Sequence, residues 1–389
     1  MREPLVSRMR AFGTTIFAEM SALALRTGSI NLGQGFPDTD GPASMLEEAV
    51  RAVRSGANQY PPGPGVPELR QAVSEHRAAH YGLGYAADGE VLVTVGATEA
   101  IAAAVLALCE PGDEVIAFEP YYDSYAASIA LAQARLTAVT LRPVEGRFTF
   151  DPAELRAAVT PRTRVILVNS PHNPTGTVFT REELTVIAEL CQERGLIAIT
   201  DEVYEHLTFD GVEHVPLATL PGMRERTVMI SSAGKSFSVT GWKTGWVCAP
   251  VELVRAVTTV KQFLTFTASA PWQLAVAHGL RHELAWVAEL RAGLQHKRDR
   301  LMEGLAAAGF EVLRPAGTYF VQTDIRPLGF TDGLELTRRL PELAGVVAIP
   351  TQVFYDHPER GGHFVRFAFC KKDEVIDEAV TRLKRLSSG

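Results

Sequence analysis

Lys235 is the residue whose surroundings point most directly to chemistry. It stands in the run Ser-Ser-Ala-Gly-Lys-Ser-Phe that begins at Ser231, so its nearest neighbours are small. An amine in such a setting can reach a bound electrophile without steric hindrance. Buried lysines whose pKa is lowered form imines with carbonyl compounds. The run therefore indicates that Lys235 forms an imine with an aldehyde cofactor, and the alternative is a solvated surface charge.

Asp201 is the candidate partner for a cationic ring. It ends an apolar run, and Tyr204 follows three residues later. A buried carboxylate costs several kcal/mol unless a cation pairs with it. A protonated pyridine nitrogen would contribute about 4 kcal/mol at contact in a medium of effective dielectric near 20, and the ring would then be an electron sink. Tyr204 could bond a ring hydroxyl. The alternative role for Asp201 is a helix N-cap.

A candidate phosphate site begins at Gly96. The triplet Gly-Ala-Thr, which includes Ala97 and Thr98, follows a predicted strand and opens an apolar helix. The free N–H groups and the dipole of a helix N-terminus bind anions. Ser232 and Lys243 could add a hydroxyl and a cation. The alternative is a helix start without a ligand.

Three further residues could contact a cofactor or a substrate. Asn173 lies in the proline-rich turn Ser170–Gly176, which could hold its amide in a fixed orientation. Tyr122 could stack on a ring or belong to the core. Arg366 lies among hydrophobic residues of a predicted strand, where it is either half-exposed on a sheet edge or a buried clamp for a carboxylate.

The elements that position these residues alternate between strand and helix from about residue 67 to residue 248. Near-continuous apolar strands separated by single helices predict a mostly parallel sheet covered by helices on both faces. Ligands of such sheets bind outside the carboxyl ends of the strands, which is where the candidate residues fall. We predict an N-terminal arm (1–40) joining a smaller domain, a large cofactor-binding domain (41–280) and a small C-terminal α+β domain (281–389).

The composition of the chain argues against several classes of binding partner. The 389 residues carry a net charge of −7 without a basic run, which argues against nucleic acid as a partner. The longest apolar run is far below the ~20 residues of a membrane span, and the N-terminus has no secretory hydrophobic region. The four cysteines lack metal-ligand spacing and are typical of free thiols in a reducing compartment. We expect a cytoplasmic protein without a metal site or membrane contact.

Taken in order, these motifs resemble the class I aminotransferases, which have fold type I of the pyridoxal-phosphate enzymes. The likeness extends over nearly the whole chain. Within the class, the stretches 31–38, 201–205 and 232–235 resemble two groups, the kynurenine/glutamine/methionine aminotransferases and the N-succinyldiaminopimelate aminotransferases, and the stretches 58–65 and 93–104 look most like the latter. The motifs that carry the resemblance are Asn173-Pro174-Thr175-Gly176, Asp201-x-x-Tyr204, Ser232-x-x-Lys235, Lys243 and Arg366.

The resemblance implies an α/β fold and pyridoxal 5'-phosphate as cofactor. Lys235, Asp201 and Tyr204 would be catalytic. The cofactor would be bound by Ala97, Thr98, Tyr122, Asn173, Asp201, Tyr204, Ser232, Lys235 and Lys243, and the substrate by Gly35, Asn173, Arg366, Phe17, Tyr60 and Phe266. Kynurenine aminotransferases have an aromatic residue where Thr98 stands, so a preference for aromatic substrates does not follow.

The resemblance also implies the reaction. An amino group would move from an L-amino acid to a 2-oxo acid by a ping-pong mechanism, with an N-succinyldiaminopimelate-like donor and 2-oxoglutarate as acceptor. The alternatives are a broad kynurenine/glutamine/methionine-type aminotransferase or a cysteine-conjugate β-lyase on the same site. A homodimer is expected, with Tyr60 contributed across the interface.

Overall fold

The computed structural model describes residues 3–13 and 15–387. Residues 1, 2, 14, 388 and 389 of the predicted arm and C-terminal domain lie outside the described residues. Helices and strands are numbered in chain order. The helices are α1 (Ile16–Thr27), α2 (Ala43–Arg54), α3 (Pro67–Tyr81), α4 (Ala87–Glu90), α5 (Gly96–Leu108), α6 (Ser124–Leu131), α7 (Pro152–Ala158), α8 (Arg181–Arg194), α9 (Ala233–Ser236), α10 (Val251–Leu264), α11 (Ala270–His282), α12 (Leu284–Ala307), α13 (Gly333–Ala344), α14 (Pro358–Gly361) and α15 (Asp373–Leu383).

The strands are β1 (Ile30–Asn31), β2 (Val91–Val95), β3 (Glu114–Glu119), β4 (Arg135–Thr140), β5 (Arg142–Val144), β6 (Arg147–Thr149), β7 (Thr163–Asn169), β8 (Ile197–Asp201), β9 (Thr227–Ser232), β10 (Thr244–Cys248), β11 (Glu311–Leu313), β12 (Phe320–Asp324), β13 (Val346–Val347), β14 (Ile349–Pro350) and β15 (Phe364–Ala368). Short 3-10 helices lie at Ser7–Met9, Leu217–Thr219, Thr240–Trp242, Arg326–Leu328, Thr351–Phe354 and Lys384–Ser387.

The central sheet has seven strands in the order β2-β10-β9-β8-β7-β3-β4. Every neighbouring pair is parallel except the two pairs that β10 makes, which are antiparallel. The strands are buried apolar runs, with helices packed against the sheet. These features confirm the predicted fold class, an α/β protein with a mostly parallel sheet.

The carboxyl edge of this sheet collects the candidate residues. Asn169, the last residue of β7, pairs with Asp201, the last residue of β8. Because β10 runs the opposite way, its beginning lies beside the ends of its neighbours, and Gly245 pairs with Ser232 of β9. The antiparallel strand therefore brings Lys243, the residue before it, to the edge where the parallel strands end.

Local sequence signals explain how β8 is held in place. Helix α8 precedes it and begins with a capping box, in which the hydroxyl of Thr180 accepts from the N–H of Glu183 and the Glu183 carboxylate accepts from the N–H of Thr180. The helix ends at Gly195, whose φ of +65° suits glycine. Its buried face, which includes Leu184 and Ile187, packs into a core cluster with apolar residues of β3 and β7.

A smaller antiparallel sheet follows in the order β11-β12-β15-β14. The predicted strand Val346 to Ile349 is two strands in the structure. Val346 and Val347 pair in parallel with Ile30 and Asn31 of the N-terminal segment, whereas Ile349 and Pro350 pair with β15. The interruption arises because the segment changes partners at Ala348. The pairing ties the N-terminal segment to this region, and the domain boundaries themselves stay a prediction.

Over residues 3–13 and 15–387, no helix has the length and apolar character needed to cross a membrane. All four cysteines are buried free thiols.

Candidate active site

Lys235 lies in α9, directly after β9, and its side chain lines a cavity of about 360 Å³. Its Nζ is 5.7 Å from the centroid of the Tyr204 ring. Burial lowers the pKa of Lys235 to about 8; the Asp201 carboxylate opposes this effect and the Lys243 ammonium adds to it. A lysine with this pKa exists partly as the free amine near neutral pH, which is the nucleophilic form.

Asp201 is buried beside the same cavity, with 4% of its surface exposed. The hydroxyl of Tyr125 donates to its Oδ2 over 2.5 Å, and the N–H of Val203 donates to its Oδ1 over 3.4 Å. Burial raises the pKa of Asp201 to about 6, although the Tyr125 hydrogen bond lowers it. A cation placed against this carboxylate would keep it ionised. The site thus has a buried acceptor suited to a cationic ring.

The N-terminus of α5 also lines the cavity, through Gly96, Ala97 and Thr98. Gly96 has a φ of +74°, and a Cβ there would lie 3.2 Å from the Nζ of Lys243. At Gly245 a Cβ would lie 2.7 Å from the carbonyl carbon of Gly96 and 2.9 Å from the nitrogen of Ala97. Both glycines therefore allow a close approach of backbone and ammonium. Free N–H groups, a helix dipole and a lysine together form an anion site.

The backbone of Asn173 is held by the side-chain amide of Asn169. The backbone N–H of Asn173 donates to Oδ1 of Asn169 over 2.7 Å, and Nδ2 of Asn169 donates to the backbone carbonyl of Asp201 over 2.8 Å. The turn at Asn173 is thus attached to the end of β8. Its Oδ1 in turn accepts from Nη1 of Arg366 over 2.9 Å.

Arg366 lies on β15, an inner strand of the smaller sheet, and only 1% of its surface is exposed. Nη2 donates to the carbonyl of Gly33 over 2.9 Å, and the guanidinium carbon is 3.9 Å from the Phe320 ring centroid. Burial lowers the pKa of Arg366 to about 10, so it stays charged at neutral pH. Its buried Nε has no hydrogen-bond partner within the described part of the chain. Of the two environments predicted for Arg366, the structure has the buried one.

Aromatic rings border the cavity around Arg366. Phe17 of α1 lies with its ring centroid 5.3 Å from the guanidinium carbon. Gly35 has no room for a side chain, because a Cβ would lie 2.5 Å from Cζ of Phe320. The Gly35 carbonyl accepts from the hydroxyl of Tyr319 over 2.6 Å. These contacts place aromatic rings beside a cation, an arrangement suited to an amino acid carboxylate.

A family model described as "Aminotransferase class I and II" matches residues 27–383. The chain belongs to this family. It is an aminotransferase, and this family uses pyridoxal phosphate as its cofactor.

Among solved structures, this aminotransferase is similar to N-succinyldiaminopimelate aminotransferase from Mycobacterium tuberculosis, with 54% identity and a TM-score of 0.97 over 98% of this chain and 100% of that chain. A methionine aminotransferase from Escherichia coli is 40% identical, with a TM-score of 0.94 over 98% of this chain and 100% of that one. Kynurenine–oxoglutarate transaminase of Dictyostelium discoideum is 37% identical over 97% of this chain and 95% of its own. The predicted family and subgroup are confirmed.

The structure of the aminotransferase brings most predicted site residues around one cavity. Those that line it are Phe17, Gly35, Ala97, Thr98, Tyr122, Asn173, Asp201, Tyr204, Ser232, Lys235, Lys243 and Arg366. Other residues that line it were not predicted as site residues, among them Gln34, Phe36, Tyr125 and Phe320. Tyr125 lies in the first turn of α6, just after Tyr122, and the centroids of the two rings are 5.8 Å apart.

Tyr60 and Phe266, two predicted substrate-binding residues, lie on the surface of the chain and outside the lining of the cavity. Their rings contact each other at a centroid distance of 5.2 Å, and 82% of Tyr60 and 53% of Phe266 are exposed. Neither is among the described residues that line the cavity of this chain. A single chain therefore does not bring this aromatic pair to its own site, and their predicted contact with substrate stays a prediction.

Proposed function

We propose that the cavity binds pyridoxal 5'-phosphate and that this enzyme uses it to move amino groups between amino acids and 2-oxo acids. The observation that carries the proposal is the placement of three different groups around one cavity: the amine of Lys235, the buried carboxylate of Asp201, and the anion site at Gly96 and Lys243. An aldehyde, a pyridine nitrogen and a phosphate are the chemical partners of these three groups. The donor set therefore fits the cofactor.

The remaining contacts follow from the same placement. Tyr122 would stack on the ring, while Tyr204 and Asn173 would bond its hydroxyl. Ala97, Thr98, Ser232 and Lys243 would bind the phosphate. When bound, the cofactor accepts the electron pair of the substrate Cα–H bond into its protonated ring.

The chain's own residues perform the proton transfer. Lys235 would hold the cofactor and, as the free amine that its lowered pKa favours, would take the α-proton and return it. Asp201 would bind the ring nitrogen of the cofactor, and its negative charge would favour electron uptake by the ring. Arg366 holds the substrate carboxylate, which fixes the Cα–H bond near Lys235. The surrounding aromatic rings limit the access of water.

The lowered pKa of Lys235 leads to a pH prediction. Only the neutral amine attacks an aldehyde, and a pKa of about 8 leaves roughly a tenth of Lys235 neutral at pH 7, about 300-fold more than at the ordinary lysine pKa of 10.5. The rate at which cofactor-free protein takes up pyridoxal phosphate should rise with pH, with a midpoint near 8, and then level off. Stopped-flow absorbance measures this rate, and a free lysine derivative treated in parallel corrects for ionisation of the cofactor. A rate that still rises tenfold per pH unit above pH 9 would contradict the prediction.

For the substrate, we propose an N-succinyldiaminopimelate-like donor and 2-oxoglutarate as acceptor. The 54% identity to the Mycobacterium tuberculosis N-succinyldiaminopimelate aminotransferase supports this choice. The cations that line the described cavity are Lys235, Lys243 and Arg366, so the distal carboxylate of such a donor would need a cation from outside this lining. The aromatic wall near Phe17 is the observation that favours the alternative, an apolar donor such as methionine or kynurenine.

A homodimer would complete the site. Tyr60, Phe263 and Phe266 are large aromatic side chains left exposed on one chain, and Tyr60 contacts Phe266. Exposed apolar clusters of this kind are typical of protein interfaces. We propose that Tyr60 reaches the cavity of the partner subunit. Location in the cytoplasm stays a prediction from the sequence.

A donor screen tests the proposed substrate. N-succinyldiaminopimelate, methionine, glutamine, glutamate and kynurenine should each be tried with 2-oxoglutarate and with pyruvate, and kcat/KM should be highest for N-succinyldiaminopimelate with 2-oxoglutarate. A higher kcat/KM for methionine or kynurenine would favour the broad-specificity alternative. Release of pyruvate and ammonia from cysteine conjugates, faster than any amino transfer, would identify a β-lyase instead.

A further inference from the structure

Two histidines and a glutamate outside the cavity bring metal-ligating atoms together. His76 lies in α3, while Glu205 and His206 follow β8. The Nε2 atoms of His76 and His206 are 2.9 Å apart, and the ligand atoms of all three residues lie within 4.8 Å of one another. None of the three belongs to the described lining of the active-site cavity. An inference about this cluster is therefore independent of the proposed reaction.

Burial favours the neutral form of an imidazole; His76 is buried, and only 15% of the His206 side chain is exposed. A neutral imidazole has one nitrogen with a lone pair, and this is the form that coordinates transition metals. In the structure the two Nε2 atoms share a hydrogen bond, in which one ring donates its Nε2–H to the lone pair of the other. A metal ion would take the place of this proton when both rings carry their proton on Nδ1, because both Nε2 lone pairs are then free to bind it.

Glu205 supplies an ionised oxygen beside the rings. Glu205 and Arg77 form a buried ion pair, and the adjacent guanidinium favours the ionised carboxylate. Arg77 and Ser231 donate to Oε1, whereas Tyr81 donates to Oε2 over 2.7 Å. Oε2 also lies 4.0 Å from Nε2 of His206. A carboxylate oxygen accepts at two positions, so Oε2 keeps the capacity for one more bond.

We propose that His76, His206 and Glu205 bind a divalent transition-metal ion such as Zn²⁺. Zinc is held by imidazole nitrogen at about 2.0–2.1 Å in tetrahedral geometry, which places two nitrogen ligands about 3.3 Å apart. The two rings would therefore separate by only about 0.4 Å from their 2.9 Å spacing. Two nitrogens and one carboxylate oxygen suit zinc, cobalt or nickel, whereas magnesium and calcium take oxygen ligands.

The site can be reached from solvent. The side chain of His206 is 15% exposed, and the neighbouring His80 is exposed and stacks on His76 at a centroid distance of 4.2 Å. Nδ1 of His80 lies 3.1 Å from the carbonyl of His76. If Nδ1 donates there, Nε2 of His80 keeps a lone pair. That nitrogen or a water molecule can complete the coordination.

The neighbouring charges set the expected strength of binding. Arg77 and Glu205 form a buried ion pair whose charges cancel, so the ion gains no net attraction from this pair. The two imidazoles then supply most of the binding. We therefore expect affinity in the micromolar rather than the nanomolar range.

Zinc binding by tag-free holoenzyme tests the proposal. After treatment with a chelator, the wild-type protein should take up about one Zn²⁺ per chain in equilibrium dialysis with elemental analysis. His206→Gln should weaken this binding at least about tenfold, because it removes a ligand. Cobalt(II) provides a second readout on the wild type, since a four-coordinate site gives strong visible absorption whereas an octahedral one does not.

His282→Gln is the matched control. His278 and His282 of α11 form a second histidine pair, with ring centroids 4.7 Å apart, far along the chain from the proposed ligands. This variant should bind zinc like the wild type. The proposal is overturned if His282→Gln loses the zinc, if His206→Gln binds it undiminished, or if cobalt in the wild type shows only an octahedral spectrum. The cobalt spectrum decides the matter even if His206→Gln does not fold.

Discussion

Lys235→Ala should reduce amino transfer by more than about 10⁴-fold, because the residue that both holds the cofactor and moves the α-proton is removed. In the structure, Lys235 lines the cavity and has a pKa lowered to about 8, whereas Lys243 lies beside Gly96 at the anion site. Lys243 is therefore not positioned to substitute for it. Turnover with 2-oxoglutarate and the visible absorbance of the lysine-bound cofactor measure the two losses.

Lys261→Met is the control for this substitution. Lys261 is also buried, but its Nζ donates to the carbonyl of Phe266 over 2.8 Å, and it is not among the described residues that line the cavity. This variant can lose stability, yet its folded fraction should keep the absorbance of the bound cofactor. If Lys235→Ala retained both the absorbance and the turnover, the assignment of Lys235 would be wrong.

Arg366→Lys should lower kcat/KM for amino acid donors by about 10²-fold while preserving the charge. The guanidinium is held through Nη1 on Asn173 and Nη2 on Gly33, and its Nε is a buried donor. A lysine ammonium cannot reproduce this planar set, and a hydrogen bond to a charged group contributes about 1.5–3 kcal/mol. Steady-state kinetics with an amino acid measure the effect.

A second substrate, the amine that lacks only the α-carboxylate of the amino acid donor, shows whether Arg366 binds this carboxylate or only supports the packing of the site. The loss should appear with the amino acid and not with the amine, because only the former has the α-carboxylate. Arg338→Lys serves as a control, since Arg338 pairs with Glu19 on the surface. Equal losses for amino acid and amine would mean that Arg366 supports the fold of the site rather than the carboxylate.

The position of the site could be predicted because it follows from the order of strands and helices. Parallel strands have their carboxyl ends at one edge, so Asn169 and Asp201 had to be neighbours once β7 and β8 were recognised as strands. The small residues around Lys235 indicate that another group comes close to its amine, because neither a helix nor a strand pattern requires small residues at these positions. Both signals are local in the sequence.

Other features depend on contacts between distant segments, which periodicity does not contain. The hydrogen bond from Tyr125 to Asp201 depends on how α6 packs over the end of β8. The central place of β15, and hence the burial of Arg366, depends on partners on both sides of that strand. The β5–β6 hairpin was also missed, since its exposed β5 residues follow directly on β4 and give no separate signal.

Tyr60 and Phe266 show a different reason for an incomplete prediction. Their role was inferred from a resemblance, and a single chain places them on its surface. The residues that a second chain would contribute cannot be located from the periodicity of one sequence. In a single chain, the structure shows only that the rings of Tyr60 and Phe266 contact each other.

Chemical reduction can locate the bond between the protein and its cofactor, and so tests whether Lys235 forms it. Borohydride reduces the C=N bond between a lysine and pyridoxal phosphate, which fixes the cofactor to its lysine for peptide mapping by mass spectrometry. We expect one modified residue, Lys235, in the reduced holoenzyme and no modification in Lys235→Ala. Modification of Lys243 or another lysine in the wild type, or none at all, would contradict it.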